Sequence, residues 1–362
     1  MTILYNIAAT WNSGGMERAL ALKANWLAAR GHKIVVITTD QRGLPSAFQM
    51  HPSIEFRDLG INYDANNGAS FASKLLQYPF KQIKHRCALA NVLHEIKPDI
   101  TVSMFCNDAS FLPKIKDGSK KVLEIHFSRF KKLQYGRKGL WALADRWRYR
   151  ADARIAAKYD KFVVLTEEDR GYWEGLDNIE VIPNARSFSF ESPSSCSAHQ
   201  VLAVGRYNFQ KGFDMLLEAW KKIDTTGWTL RVAGSGEDLG PVPANVITGP
   251  SADIKKEYIN SSIFAMSSRY EGLPMVLLEA QAAGLPIVSF QCKCGPKDIV
   301  EPGVSGYLVA EGDTSTLASK IKELMDDEEL RRKMGFAAFK ASERYDIQPI
   351  MNKWTDLFQR LS

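Results

Sequence analysis

The first half of the chain alternates short apolar runs with stretches whose apolar residues recur at helical spacing. Residues 3–9 form a brief apolar run leading to a glycine turn, and residues 16–29 place apolar side chains on one helical face. Arg30-Gly31-His32 stops that helix, and KIVVITT at 33–39 has the unbroken apolar character of a strand buried on both faces. Further strands are predicted at 54–58, 99–104, 121–126 and 161–166. Strands separated by helices imply βαβ units, and so a parallel, doubly wound sheet.

The alternation lapses at SFSFESPSSCSAH, residues 187–199, a polar stretch without periodicity that reads as a linker. It resumes with strands predicted at 200–205, 228–234, 245–248, 262–267 and 286–290, and helices such as 213–223 and 275–283 between them. The predicted organisation is an α/β domain at 1–186, the linker, and a second α/β domain at 200–345. Residues 346–362 form a last helix. A length of 362 residues fits two hydrophobic cores better than one. Two such domains facing one another create a cleft, with ligands expected at the carboxyl ends of the strands.

Composition narrows the class. Apolar residues make up 45% and charged residues 24%, as in an ordinary globular protein. No stretch approaches the roughly 20 apolar residues needed to cross a bilayer. The first residues lack the basic region and cleavage site of a signal peptide. Five scattered cysteines (Cys87, Cys106, Cys196, Cys292, Cys294) suit a reducing compartment, so the expected location is the cytoplasm. The net charge of +6 is uneven: residues 114–161 hold fifteen Lys or Arg against five Asp or Glu. Two readings of that block stand, an anionic partner or a solvated helix face.

Candidate chemistry sits at predicted strand ends. Gly14-Gly15 opens the first helix, where glycine lets the backbone approach a phosphate; a plain tight turn is the alternative. His126 closes the strand VLEIH, where it can hydrogen-bond a sugar hydroxyl or a leaving phosphate, or serve only as a structural group. In the second half, Gly205-Arg206 ends a strand and Lys211-Gly212 enters a helix. Two cations so placed can neutralise a departing diphosphate. Glu271 and Glu279 bracket Gly272-Leu273-Pro274-Met275-Val276. Pro274 fits the first turn of a helix, which leaves the 273–276 amides at a helix N-terminus facing phosphate or sugar. Glu271 can accept from sugar hydroxyls, and Glu279 from the two hydroxyls of a ribose. Gly234 in AGSGE and the Gly295-Pro296-Lys297-Asp298 loop follow two further strands. Cys292 and Cys294 lack the second cluster that a zinc site requires.

The succession GGMER, EIH, GR…KG and EGLPMVLLEAQAAGLPIVS, which spans nearly the whole chain, resembles glycosyltransferase family 4. Within that family it resembles bacterial polysaccharide and lipid-linked oligosaccharide transferases. The resemblance implies the GT-B fold, two Rossmann-like domains with doubly wound parallel sheets, and a retaining hexosyltransferase. Arg206 and Lys211 then match the pair that holds the donor diphosphate, and Gly15 the glycine whose backbone approaches it. Glu271 and Glu279 match the two glutamates of the E-x7-E motif, near the donor sugar and on the ribose. His126 matches the histidine at the reaction centre, Asn184 an asparagine beside the hinge, and Thr166 a strand-end hydroxyl near it. The donor is expected to be a nucleotide sugar carried on UDP, with no metal or other cofactor, and the acceptor a glycan or lipid-linked glycan.

The basic block then reads as a face toward an anionic membrane surface, carried by Lys131, Lys132, Arg146, Arg148 and Arg150 beside Trp141, Trp147 and Tyr149. Residues 71–86 are a second candidate. The expected protein is a peripheral one at the inner face of the cytoplasmic membrane. A nucleotide-sugar epimerase of the same fold and a non-enzymatic carbohydrate-binding protein are the alternatives. No motif supports nucleic-acid binding.

Overall fold

The computed structural model describes residues 1–66, 71–133 and 139–362. The chain divides into two compact units. One comprises Met1–Leu165, Arg170–Pro183 and Ile347–Ser362; the other comprises Thr166–Asp169 and Asn184–Asp346.

The first unit is built on seven strands: β1 (Thr2–Asn6), β2 (Lys33–Thr38), β3 (Glu55–Asp58), β4 (Ile100–Ser103), β5 (Lys120–Glu124), β6 (Lys161–Val164) and β7 (Ile179–Val181). They pair in the order β3-β2-β1-β4-β5-β6-β7, all parallel. The central strands are buried along their length because helices cover both faces, as a parallel sheet requires. The order reverses between β1 and β4, where Asn6 and Ser103 lie in register at the carboxyl ends. The last helix, Ile347–Leu361, belongs to this unit and buries Ile350, Met351, Trp354, Leu357 and Phe358. These recur at the 3.6 period that seats one helical face.

The second unit has six strands: β8 (Gln200–Val204), β9 (Thr229–Ala233), β10 (Val246–Gly249), β11 (Ile263–Met266), β12 (Ile287–Phe290) and β13 (Gly306–Val309). Their order is β10-β9-β8-β11-β12-β13, again all parallel. Here the reversal falls between β8 and β11, so the loops leaving those two strands start side by side. Residues 187–199 run against this unit: Ser194 Oγ donates to the Ser261 carbonyl at 2.8 Å, and Cys196 is fully buried. Among the described residues, no helix is long and apolar enough to cross a membrane.

Candidate functional site

The loops after β8 and β11 carry the charged groups of the second unit. Asn208 caps a single 3-10 turn, Phe209–Lys211, by accepting from the Lys211 amide at 3.1 Å. Gly212 follows at φ +62, and a Cβ there would lie 2.2 Å from the Ser267 carbonyl oxygen. Both the left-handed backbone and the close approach exclude a larger residue. Further bonds join the two loops. Arg269 N donates to the Gln210 carbonyl at 2.8 Å, and Gln210 Nε2 returns a bond to the Tyr270 carbonyl at 3.0 Å. Arg269 also grips Asp214 through both guanidinium nitrogens, at 3.0 and 2.6 Å.

This stitching sets Lys211 Nζ 2.7 Å from Glu271 Oε1. The lysine stem lies across Gly205, whose added Cβ would meet it at 3.1 Å. Arg206 is exposed at the end of β8, and its charge reaches the Tyr270 phenol, next to Glu271. Burial raises the Tyr270 hydroxyl's pKa and the Glu271 carboxylate adds to that, while Arg206 opposes it. Arg206, Lys211 and Glu271 thus occupy one corner of the unit. Gly234 is at the same strand ends: a Cβ there would stand 1.9 Å from the Gly205 carbonyl.

Glu279 lies in the helix Met275–Ala282. Its Oε1 accepts from Ser187 Oγ at 2.7 Å and its Oε2 from Tyr258 OH at 2.8 Å, and the residue is 3% exposed. Neither partner carries a signal in the sequence: Ser187 opens the aperiodic stretch 187–199, and Tyr258 lies in a short helix without any motif. Pro274, expected in the first turn, is instead the N-cap, with ψ 103. Leu273, Pro274 and Met275 are buried, and Gly272 and Val276 are partly exposed.

In the first unit, Gly14 caps the helix Gly15–Ala28, and Glu17 folds back so that its Oε2 lies 2.4 Å from where a Gly14 Cβ would be. That places a carboxylate at the positive end of the helix dipole. Strand β5 ends at Glu124, two residues before His126. The His126 side chain is 4% exposed, and its Nε2 lies 3.1 Å from Glu124 Oε1. Glu124 Oε2 accepts from Lys23 Nζ. Burial pushes the Glu124 carboxyl up, but the Lys23 and His126 charges outweigh it and hold the group at about 2. Thr166 Oγ1 accepts from the Asp169 amide at 3.0 Å, the capping bond of a short helix.

The cationic face is spread over two helices of the first unit. Arg146, Arg148 and Arg150 are exposed on Leu140–Ala156 beside Trp147, and Lys131 lies 4.4 Å over the Phe127 ring. The side chains of Lys132 and Trp141 lie outside the described residues. Among the described residues, no three His, Cys, Asp or Glu side chains gather as a metal-ligand set.

Two all-parallel α/β units whose loops gather cations and carboxylates at strand ends define the GT-B class of fold. Residues 13–187 match the model of Glycosyltransferase Family 4, and residues 186–341 match that of Glycosyl transferases group 1. The chain belongs to the family-4 glycosyltransferases. The amylovoran biosynthesis glycosyltransferase AmsD of Erwinia amylovora is 34% identical over 55% of this chain and 62% of its own length. A Campylobacter jejuni α-1,4-N-acetyl-D-galactosaminyltransferase acting on an undecaprenol-linked glycan is 26% identical over 97% of this chain and 96% of its own. The chain spans 62%, 24% and 60% of the first three curated relatives it matches. Among solved structures, Anabaena HepE in complex with UDP and glucose superposes with a TM-score of 0.77 at 18% identity, covering 99% of this chain and 100% of that one.

Proposed function

We propose that this protein is a retaining glycosyltransferase that moves a hexose or N-acetylhexosamine from a UDP-linked donor to a lipid-linked glycan acceptor in cell-surface polysaccharide synthesis. The observation that carries the reading is the Lys211–Glu271 pair at the switch point of the second sheet, with Arg206 beside it. In the proposed reaction, Lys211 and Arg206 neutralise the diphosphate as the glycosyl–oxygen bond breaks. Glu271 orients the donor sugar, and Glu279 takes the ribose hydroxyls. His126 takes the part of the family's reaction-centre histidine. Retention is attributed to attack on the face that the leaving phosphate vacates, with that phosphate helping to deprotonate the acceptor. The donor side is supported by the similarity to a protein solved with UDP and glucose. The acceptor side is supported by the relative named for an undecaprenol-linked substrate.

Membrane docking belongs to the same proposal. Leu76, Phe80 and Ile83 on the helix Phe71–Ile96 are exposed by 69%, 74% and 62%, and Trp147 by 70%. Burial raises the pKa of the Tyr78 phenol and the Arg148 charge opposes it, which makes the two helices neighbours. Apolar anchors beside arginines suit an anionic bilayer surface.

A panel of UDP- and GDP-linked sugars, followed by thermal stabilisation and nucleotide release, tests the donor. The anomeric coupling of the product, read by NMR, tests retention. Stabilisation by no nucleotide sugar would sink the transferase reading. Conversion of a donor incubated alone into its epimer would replace it with an epimerase.

A further inference from the structure

Lys23, Glu124 and His126 form a buried chain of ionisable groups in the first unit. Lys23 and Glu124 are 4% and 1% exposed, and come from the helix Gly15–Ala28 and the end of β5. Two ions taken out of water are seldom more stabilising than apolar side chains of equal volume, so the pair is poorly explained by packing alone. The geometry shows a second use. One Glu124 oxygen engages Lys23, and the other is turned to the imidazole, 3.1 Å from His126 Nε2. Lys23 is itself confined, with Nζ 3.8 Å over the ring of Trp354 and 5.3 Å from that of Tyr5. Trp354 belongs to the last helix, so that helix fixes the lysine, the lysine fixes the carboxylate, and the carboxylate faces the histidine. Both His126 ring nitrogens are buried and, among the described residues, neither makes an aligned hydrogen bond; the 3.1 Å approach of Glu124 Oε1 to Nε2 puts a carboxylate against that edge of the ring.

We propose that Glu124 is a positioning residue for His126: clamped by Lys23, its carboxylate holds the imidazole in one orientation with a proton on Nε2. In the neutral ring this leaves the lone pair on the buried Nδ1, as an acceptor. The inference rests on the reading of His126 as a reaction-centre group, and it adds the device that sets the ring.

Selective 15N-histidine labelling of the full chain tests it without a substrate. The chain has six histidines, and His126→Asn assigns the resonance. The expected wild-type signature is a single Nε2–H tautomer, lost to a mixture in Glu124→Gln. Because Glu124→Gln leaves Lys23 without its counter-charge, Lys23→Met/Glu124→Gln is measured beside it, and the same mixture is expected there. An unchanged tautomer in both variants overturns the proposal. UDP release from UDP-N-acetylgalactosamine supplies the kinetic arm. Glu124→Gln should lower kcat on the order of 100-fold, with the donor KM within about twofold. It should add no further loss in a His126→Ala background. Additive losses would make Glu124 merely structural. Full turnover by His126→Ala would instead remove the histidine from the reaction, while the tautomer would still decide what Glu124 does to the ring.

Discussion

Lys211 Nζ stands 2.7 Å from Glu271 Oε1 and joins the loop after β8 to the loop after β11 across 60 residues of sequence. Their side chains are 16% and 9% exposed, so each compensates much of the other's desolvation. Lys211→Ala should therefore have two separable effects. Leaving the Glu271 carboxylate without its cation should cost about 2 kcal/mol in urea denaturation. Removing the cation from the leaving diphosphate should cut nucleotide-sugar turnover on the order of 100-fold. Lys211→Arg should restore stability more than turnover. Wild-type turnover by Lys211→Ala at limiting donor would end the diphosphate role.

Glu279 holds two donors, Ser187 Oγ and Tyr258 OH. Glu279→Ala removes the charged partner of the Tyr258 hydroxyl and leaves it the longer 3.4 Å bond to the Val276 carbonyl, at a cost of about 1–3 kcal/mol. The fold should survive, and the KM for the donor should rise at least roughly tenfold as the ribose contact is lost, since one charged hydrogen bond is worth about 1.5–3 kcal/mol. Calorimetric titration with UDP checks this directly. Unchanged UDP affinity would separate Glu279 from the ribose.

Asp108 gives the stability a pH dependence of definite sign. Burial raises its carboxyl to about 7, and among the described residues neither carboxylate oxygen makes a hydrogen bond, although Asn6 and Ser103 lie beside it. The folded pKa exceeds the ordinary value of about 3.9, so the native state binds the proton more tightly than the unfolded chain. The Asp108 contribution is therefore fully present below about pH 4 and is lost as pH rises to about 7. Asp108→Asn should be the more stable protein at pH 7.5, with the advantage shrinking toward pH 4 in paired urea melts. The Glu124 carboxyl, held at about 2, acts with the opposite sign: its contribution is present above about pH 4.3 and is lost as pH falls toward 2, so the two windows meet only near pH 4. Equal pH profiles for wild type and Asp108→Asn would place the Asp108 pKa near its ordinary value.

Charge reversal at Arg146, Arg148 and Arg150 tests membrane docking. Each basic side chain near an anionic surface contributes about 1 kcal/mol, so the triple Glu variant should bind phosphatidylserine vesicles more than roughly 100-fold more weakly. Trp147→Ala should weaken binding to neutral and anionic vesicles alike, because the loss is apolar. Co-sedimentation that ignores both lipid charge and salt would exclude this face.

Much of the fold was legible in the chain. The strands at 33–38 and 263–266 and the helix at 347–361 follow apolar periods that arise within a few residues. The strands that escaped, β7 and β13, are three and four residues long at sheet edges and only partly buried, so they carry almost no apolar signal. Glu271 and Lys211 were found because their neighbours form distinctive strings. Asp108, Tyr258 and Lys23 were missed because nothing local marks a polar residue that tertiary packing will bury.

By itself the sequence determined the alternation of strand and helix, the parallel α/β class and the family motifs, all of which follow from local periodicity and short strings. Only the tertiary structure decided strand order, the meeting of Lys211 with Glu271, and the burial of Lys23 against Glu124 across 101 residues. The physical reason is that these contacts depend on which strands become neighbours, and residue spacing along the chain does not encode that choice.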